Sequence, residues 1–175
     1  LMMNKNVLYI TLEMSEERIA ERIDANIMNV PMKDLPDMSK KEYGKKIGRL
    51  KSKTQGKLIV KEYPTAAAQA GHFRHLLQEL EIKKDFKPDI IFIDYLNICA
   101  SQRIRPGAGA NSYTLVKSIA EELRGVAVEC DVPIMSATQT TRSGFGSTDI
   151  GLEDTSESFG LPATADLMFA LITSE

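Results

Sequence analysis

Short apolar segments separated by amphipathic stretches recur along the chain and predict an alternation of strands and helices. Four segments are continuously apolar or nearly so, and a fifth apolar run predicts a last strand: 6–11 (NVLYIT), 57–63 (KLIVKEY), 89–96 (DIIFIDYL), 132–137 (VPIMSA) and 167–172 (LMFALI). Continuous apolar strands are typical of a parallel sheet covered on both faces. We therefore predict an α/β fold with a mostly parallel sheet, in a single domain that spans 1–175.

The stretches between these strands carry apolar residues three or four positions apart, the spacing of helices with one buried face. Ser15 and Ser39 each stand where a hydroxyl can cap the helix that follows. The helix after Ser39 has a strongly basic polar face, which we interpret as a solvated surface, with a binding patch as the alternative. Thr65 can cap the next helix, and a longer helix follows a Gly- and Arg-rich loop at 101–112.

Composition narrows the class of protein. The formal net charge is −2, which argues against a general polyanion binder but not against a local DNA-contacting patch. No apolar run has the length of a membrane span, and the first residues lack the apolar core of a signal peptide. Cys99 and Cys130 have neither metal nor redox spacing, so we expect reduced thiols in a cytoplasmic protein.

Three polar residues stand where predicted strands end. Glu13 lies just past the first strand, Asp94 ends the run Ile-Ile-Phe-Ile at 90–93, and Gln139 follows the fourth strand. The carboxyl ends of parallel strands lie at one edge of a sheet, where ligands bind in such folds. We therefore expect the three side chains to converge on one site.

Each residue has a possible role in nucleotide hydrolysis and a simpler alternative. An acid after four apolar residues is the Walker B pattern, in which the carboxylate of Asp94 would hold Mg²⁺ through water. Glu13 could orient and deprotonate the attacking water, and Gln139 could sense the γ-phosphate without adding charge. The alternatives are a strand-ending acid for Asp94, a residue before a helix cap for Glu13, and a loop amide for Gln139.

The phosphate-binding loop G-x-x-x-x-G-K-[ST] does not occur in the sequence. That loop supplies the backbone N–H groups and the lysine that hold the phosphates. We therefore expect the chain on its own to bind ATP poorly or not at all. Because the sequence begins with Leu1, we also expect it to be a fragment.

Arginines in two polar loops suggest contacts with nucleic acid. Arg103 and Arg105 follow the Asp94 strand, and Arg142 follows Gln139 in a stretch rich in Gly and Ser. Guanidinium groups and main-chain N–H groups of such loops can hold a phosphate backbone. A disordered surface loop is an equal alternative.

Five blocks, in order along the chain, resemble the DnaB family of hexameric replicative DNA helicases, above all its members from T-even-type bacteriophages. The blocks are NVLYITLEMSEERIAERIDANIM, KLIVKEYPTAAAQAGHFRHLLQEL, IIFIDYLNIC, NSYTLVKSIAEELRGVAVE and GLPATADLMFAL. The resemblance implies a RecA-like three-layer sandwich, incomplete because the strand that carries the phosphate-binding loop precedes this chain. We expect that missing central strand to leave a gap, filled by rearrangement, by self-association or by other polypeptide.

The resemblance also implies roles for residues. Glu13 would be the catalytic base, Asp94 the Walker B acid that coordinates Mg²⁺ through water, and Gln139 the γ-phosphate sensor. The central DNA-binding loop would comprise Glu157, Ser158, Phe159, Gly160 and Leu161, whose backbone amides track phosphates. Ser156 stands where bacterial members often carry Arg, which weakens the case for a side-chain contact there.

Arg103 and Arg105 would lie in a loop facing the channel of the ring, and Arg142 is a weaker candidate. The implied ligands and partners are ATP or another NTP with Mg²⁺, single-stranded DNA, five further copies in a homo-hexamer, a primase and a helicase loader, with no membrane. The implied location is the cytoplasm, that of an infected bacterium if the gene belongs to a phage. Two alternatives are a truncated, inactive module that binds DNA or helicase subunits, and a RecA-like recombinase or clock-type ATPase.

Overall fold

A computed structural model describes residue 1 and residues 3–105, 111–140, 151 and 160–172. Strands and α-helices alternate along this part of the chain. In order they are β1 (Val7–Thr11), α1 (Glu16–Met28), α2 (Lys40–Lys51), β2 (Leu58–Glu62), α3 (Ala70–Lys84), β3 (Ile90–Asp94), α4 (Ser112–Cys130), β4 (Ile134–Ser136) and α5 (Gly160–Thr164). Each of the first four predicted strands is therefore present, one or more residues shorter than its apolar segment.

Polar side chains cap α1, α2 and α4, the first two at the serines that the sequence predicts. The Ser15 hydroxyl accepts a hydrogen bond from Arg18 N at 3.3 Å, and the Ser39 hydroxyl accepts one from Glu42 N at 3.2 Å. Asn111 caps α4 in the same way through Thr114 N at 2.8 Å. These bonds satisfy amide groups that have no partner within the helix.

The four strands form one sheet in the order β2-β1-β3-β4, and every neighbouring pair is parallel. In the central pair, Val7 lies opposite Ile90 and Thr11 lies opposite Asp94. The register therefore aligns the ends of β1 and β3 at the carboxyl edge of the sheet.

The direction of the crossovers places helices on both faces of the sheet. The connection from β1 leads to β2 on one side of it in the sheet. The connections from β2 to β3 and from β3 to β4 run along the sheet in the opposite direction. Right-handed crossovers then require α1 on one face and α3 and α4 on the other. Burial agrees with this, because the main core joins strand residues such as Leu8 and Ile91 to α3 and α4. The result is the expected three-layer α/β sandwich.

Phe73 of α3 is a sensitive point of this core, because it is 1% exposed and packs within the cluster beneath the sheet. We expect Phe73→Ala to lower the free energy of unfolding by about 3–5 kcal/mol, through lost apolar burial and the cavity that remains. Denaturant unfolding would measure the loss. Ile82→Ala on the same helix is the control, since Ile82 is 83% exposed. Similar losses in both variants would contradict the placement of this core.

Two sequence-based expectations about secondary structure are wrong. Thr65 does not cap α3, which begins five residues later with Gln69 as its cap. Instead the Thr65 hydroxyl donates to Leu12 O at 2.6 Å. The run 167–172 forms no strand, and Leu171 is 97% exposed. An apolar run becomes a strand only where neighbouring backbone can pair with it.

The expected gap is not found within the described sheet, because its four strands are hydrogen-bonded in unbroken succession. A further strand would have to add outside β4 or β2, where backbone groups at a sheet edge can still pair. Among the described residues, no helix is both long and apolar enough to cross a lipid bilayer.

Candidate functional site at the carboxyl edge of the sheet

The turn that follows β1 holds Glu13 beside the end of β3. The buried Thr11 hydroxyl accepts a hydrogen bond from Met14 N at 3.1 Å and donates one to Met14 O at 2.8 Å. Between them, Leu12 N donates to Asp94 O at 2.9 Å. The turn is therefore fixed to the Asp94 backbone, while the Glu13 side chain is exposed and makes no hydrogen bond or ion pair with the described residues.

One oxygen of the Asp94 carboxylate is held by a tyrosine. The Tyr9 hydroxyl donates to Asp94 Oδ2 at 2.9 Å, and the Tyr9 ring stacks on Phe92 with centroids 6.1 Å apart. Burial and the bond to Asp94 raise the pKa of Tyr9 to about 12, so the hydroxyl stays a donor at neutral pH. No described residue donates a hydrogen bond to Asp94 Oδ1.

Gln139 reaches the same edge from β4. Its Nε2 donates a hydrogen bond at 3.3 Å to the hydroxyl of Tyr95, the residue that follows Asp94. Two further bonds fix this segment to the end of β3: Leu96 N donates to Ala137 O at 3.3 Å, and the Thr138 hydroxyl donates to Asn97 Oδ1 at 2.9 Å. The structure therefore places Glu13, Asp94 and Gln139 at one edge of the sheet, as their positions in the sequence predict.

The residues at this edge suit Mg²⁺ better than a metal that needs a full protein cage. The described part of the chain contains no group of three or more His, Cys, Asp or Glu side chains able to hold a metal. Mg²⁺ keeps several of its waters and is usually bound through one or two carboxylates together with substrate phosphates. Asp94, with one oxygen held and the other available, fits that coordination.

Arg103 is exposed, but its guanidinium is engaged in a network on α4. Its guanidinium contacts Glu121 at 2.8 Å, Glu122 at 3.4 Å and the Ser118 carbonyl at 2.9 Å. A phosphate would have to compete with these partners. The proposed DNA contact through Arg103 stays a prediction, and its side chain would need to rearrange to make it.

Glu122 is the centre of that network, and its side chain is only 8% exposed. Its carboxylate accepts hydrogen bonds from the Ser101 hydroxyl at 2.5 Å, from Gln102 N at 2.8 Å and from Arg103 N at 3.3 Å. Burial acts to raise the pKa of Glu122, but these hydrogen bonds outweigh it and hold the pKa below its usual value. The charged carboxylate therefore anchors the start of the loop after β3 to α4.

We expect Glu122→Gln to lower the free energy of unfolding by about 2 kcal/mol at neutral pH, because buried donors lose their charged acceptor. A pKa that is lower in the folded state stabilises the fold above the unfolded-state value, about 4.3, and this contribution is lost as the pH falls through the folded-state value. Denaturant unfolding between neutral and acidic pH should therefore show the two proteins converging in acid.

Glu121→Gln is the matched control for this experiment, because Glu121 is the adjacent acid, pairs with the same arginine and is more exposed. We expect it to unfold nearly like the wild type. A difference between wild type and Glu122→Gln that is the same at every pH would contradict the role of the charge.

The other residues predicted to contact DNA differ in exposure, and some lie outside the described part of the chain. Arg105 is exposed and makes no ion pair with the described residues. Arg142, Glu157, Ser158 and Phe159 lie outside the described residues. Gly160 and Leu161 are buried where α5 begins, and Leu161 belongs to the core. Since both residues are buried, contact of the Leu161 side chain with DNA would require rearrangement, and the backbone contacts stay a prediction.

Sequence reasoning missed Tyr9 and Glu122. A tyrosine within an otherwise aliphatic strand is a signal that its hydroxyl needs a polar partner, but the partner is 85 residues away. Glu122 lies on a helix face that otherwise reads as buried, and a buried acid indicates local hydrogen-bond donors.

The fold and the site together define a class: three-layer parallel α/β proteins with acidic and amide side chains at the carboxyl edge of the sheet, a class that includes nucleotide-hydrolysing domains. Comparison with known families is more specific. The chain belongs to the family of DnaB-like helicase C-terminal domains, whose model matches residues 1–172.

Relatives agree with this assignment. The chain is 50% identical over 178 aligned residues to the DnaB-like replicative helicase of Enterobacteria phage T4, covering 100% of this chain and 37% of that protein. It is 29% identical over 142 residues to a probable plasmid replicative DNA helicase of Chlamydia trachomatis, covering 79% of this chain and 29% of that protein. The chain thus spans about a third of these relatives.

The solved structure of a DnaB-like replicative helicase and its interactions with primase shares the fold. It superposes with a TM-score of 0.71 at 20% identity, over 93% of this chain and 39% of that one. The predicted RecA-like α/β architecture is confirmed.

Proposed function

We propose that the complete gene product containing this chain is an ATP-dependent DNA helicase, which hydrolyses ATP or another NTP with Mg²⁺ and translocates on single-stranded DNA as a hexameric ring. The observation that supports the proposal is the shared position of Glu13, Asp94 and Gln139 at the carboxyl edge of β1, β3 and β4. The family assignment supports the same activity.

Within this proposal, Glu13 acts as the general base. Its carboxylate is exposed, stands on a turn fixed by Thr11 and is not neutralised by a described cation. It can therefore accept a proton from a water molecule that attacks the γ-phosphate.

Asp94 would hold Mg²⁺ through water, and the ion, when bound, supplies charge stabilisation to the phosphates. Tyr9 restricts the orientation of the Asp94 carboxylate through Oδ2, which leaves Oδ1 to face the ion's water shell. Gln139 would sense the γ-phosphate, and its link to Tyr95 joins it to the Asp94 segment. The phosphates themselves would be gripped by polypeptide outside this sequence, which has no phosphate-binding loop motif.

Single-stranded DNA would be bound by the loops at 101–111 and 157–161, with Arg105 better placed than Arg103 for a phosphate contact. Glu122 of α4 binds Ser101 and Gln102, and Leu161 packs in the core with residues of α4. These contacts support a coupling in which movement of α4 on hydrolysis would be passed to the DNA. A primase and a helicase loader are the proposed protein partners. The related structure of a replicative helicase and its interactions with primase supports the first of these partners.

The test is to purify the complete gene product and measure ATP hydrolysis with and without single-stranded DNA, together with unwinding of a forked duplex. We expect hydrolysis that requires Mg²⁺ and is stimulated by the DNA. DNA binding with no hydrolysis under any of these conditions would instead favour the inactive binding module.

A further inference from the structure

Positive charge is concentrated on α2. Six of its twelve residues are Lys or Arg, whereas Glu42 is its only acid. The whole chain has 22 such cations among 175 residues and a net charge of −2. This concentration belongs to one helix and is not a property of the whole protein surface.

Three of these cations form a straight row, which we call the basic ridge: Lys41, Lys45 and Arg49. They are four residues apart on a regular helix, so they share one face and span about 12 Å. All three are exposed. Such a row presents charge along a line, as a polyanion backbone does.

Nearby acids do not neutralise the basic ridge. On α2 itself, Glu42 lies 3.7 Å from Lys46, which is outside the ridge. On the neighbouring α1, Asp24 accepts a hydrogen bond from the Tyr43 hydroxyl, and Glu21 pairs with Arg18 at 2.8 Å. No ridge residue makes an ion pair within the described part of the chain. The ridge therefore keeps its full charge for a ligand.

Packing within the protein does not explain the two glycines beside the basic ridge. Gly44 and Gly48 lie next to it on the helix, and a Cβ added at either would meet no atom within 4 Å. Glycine is unfavourable inside a helix. Two glycines that have no internal contact leave the backbone open to close approach by a ligand.

We propose that the basic ridge binds the phosphate backbone of duplex DNA. General single-strand sites combine a positively charged groove with aromatic side chains on which bases stack, and the ridge offers no aromatic side chain. The sole aromatic residue of α2, Tyr43, is tied to Asp24 on another face. A fixed row of cations suits the regular phosphates of a duplex, which are spaced about 3.4 Å per strand along the axis.

The ridge is separate from the site at the carboxyl edge. The segment after α2 leads to the start of β2, at the amino edge of the sheet, where Lys57 N donates to Asn6 Oδ1 at 3.1 Å. The inference therefore goes beyond the proposed function, because it requires duplex binding but neither hydrolysis nor the loops that follow β3 and β4.

The experiment compares the complete gene product with its K41Q/K45Q/R49Q variant, using fluorescence anisotropy of a blunt 20-base-pair duplex at several salt concentrations. Each lost phosphate contact reduces the slope of log K against log salt by about 0.9. We expect the variant's slope to be shallower by about 2.7, so that its affinity deficit shrinks about 40-fold between roughly 50 and 200 mM salt.

Two controls isolate the ridge. K83Q/K84Q/K87Q removes the same charge from α3 and the segment after it, and should keep the wild-type slope. K41R/K45R/R49K keeps the charge of the ridge, and should bind duplex like the wild type. Circular dichroism would verify that every variant is folded.

Several results would overturn the inference. These are a wild-type slope in the ridge variant, an equal loss in the α3 variant, or a loss confined to single-stranded DNA. Failure of the proposed function would look different: the wild-type protein would neither hydrolyse ATP nor unwind a fork, whatever its affinity for duplex.

Discussion

Glu13→Gln is expected to reduce the ATP turnover of the complete gene product by about 10²–10⁴-fold, the usual contribution of a general base. Glutamine has the shape of glutamate but cannot take a proton from water. The turn that carries residue 13 is held by Thr11 and by Asp94 O, and neither bond involves the Glu13 side chain. Nucleotide binding and folding should therefore survive, and steady-state kinetics should show the loss in kcat and not in KM.

Glu17→Gln is the matched control for that experiment. Glu17 is also exposed and lies four residues further along, in the first turn of α1. Turnover in this control should stay near the wild-type rate. If Glu13→Gln kept full DNA-stimulated hydrolysis, Glu13 would not be the base and another group would have to activate the water.

Asp94→Asn is expected to lower turnover by about 10³-fold, because charge stabilisation by a metal ion contributes several kcal/mol and each 1.4 kcal/mol is about a factor of ten. An amide can still accept the hydrogen bond from the Tyr9 hydroxyl through its oxygen. Its NH₂ group would then replace the second carboxylate oxygen, which would face the water shell of a bound Mg²⁺. A titration with Mg²⁺ should show half-maximal activity at a higher concentration than in the wild type.

Asp89→Asn is the matched control for this experiment, because Asp89 lies at the opposite end of β3. Asp89 precedes β3 at the amino edge, where it accepts bonds from Lys5 Nζ at 2.9 Å and from Asn6 N at 2.7 Å. The bonds from Asn6 N and Lys5 hold its pKa below the usual value. An amide keeps one acceptor oxygen and carries no charge, so the substitution loses the ion pair with Lys5 and one of the two bonds. This should affect stability and leave the Mg²⁺ titration unchanged. An unchanged titration in Asp94→Asn as well would remove Asp94 from the metal site.

Local patterns were sufficient wherever the interacting groups are close along the chain. Ser15 and Ser39 cap their helices as predicted, because a cap contacts amides only three residues away. The strand ends were also predictable. Once the strands are parallel, Glu13, Asp94 and Gln139 must share one edge, whatever the order of the strands.

Pairings between distant segments were not predictable. Thr65 looked like a helix cap, but its hydroxyl bonds Leu12 O, 53 residues away. Arg103 looked like a free cation in a polar loop, but acids 18 and 19 residues later on α4 engage it. In both cases a local role was plausible from the sequence. In the folded protein, the side chain instead bonds a partner that is distant along the chain.

The amino-acid sequence alone determined the alternation of strands and helices, the parallel sheet and the edge at which chemistry can occur, because apolar periodicity and capping act over a few residues. Tertiary structure decided the order β2-β1-β3-β4, the bond that orients Asp94 through Tyr9, and the exclusion of 167–172 from the sheet. Backbone pairing and buried hydrogen bonds require two segments to meet, and no single segment encodes which partner it will meet.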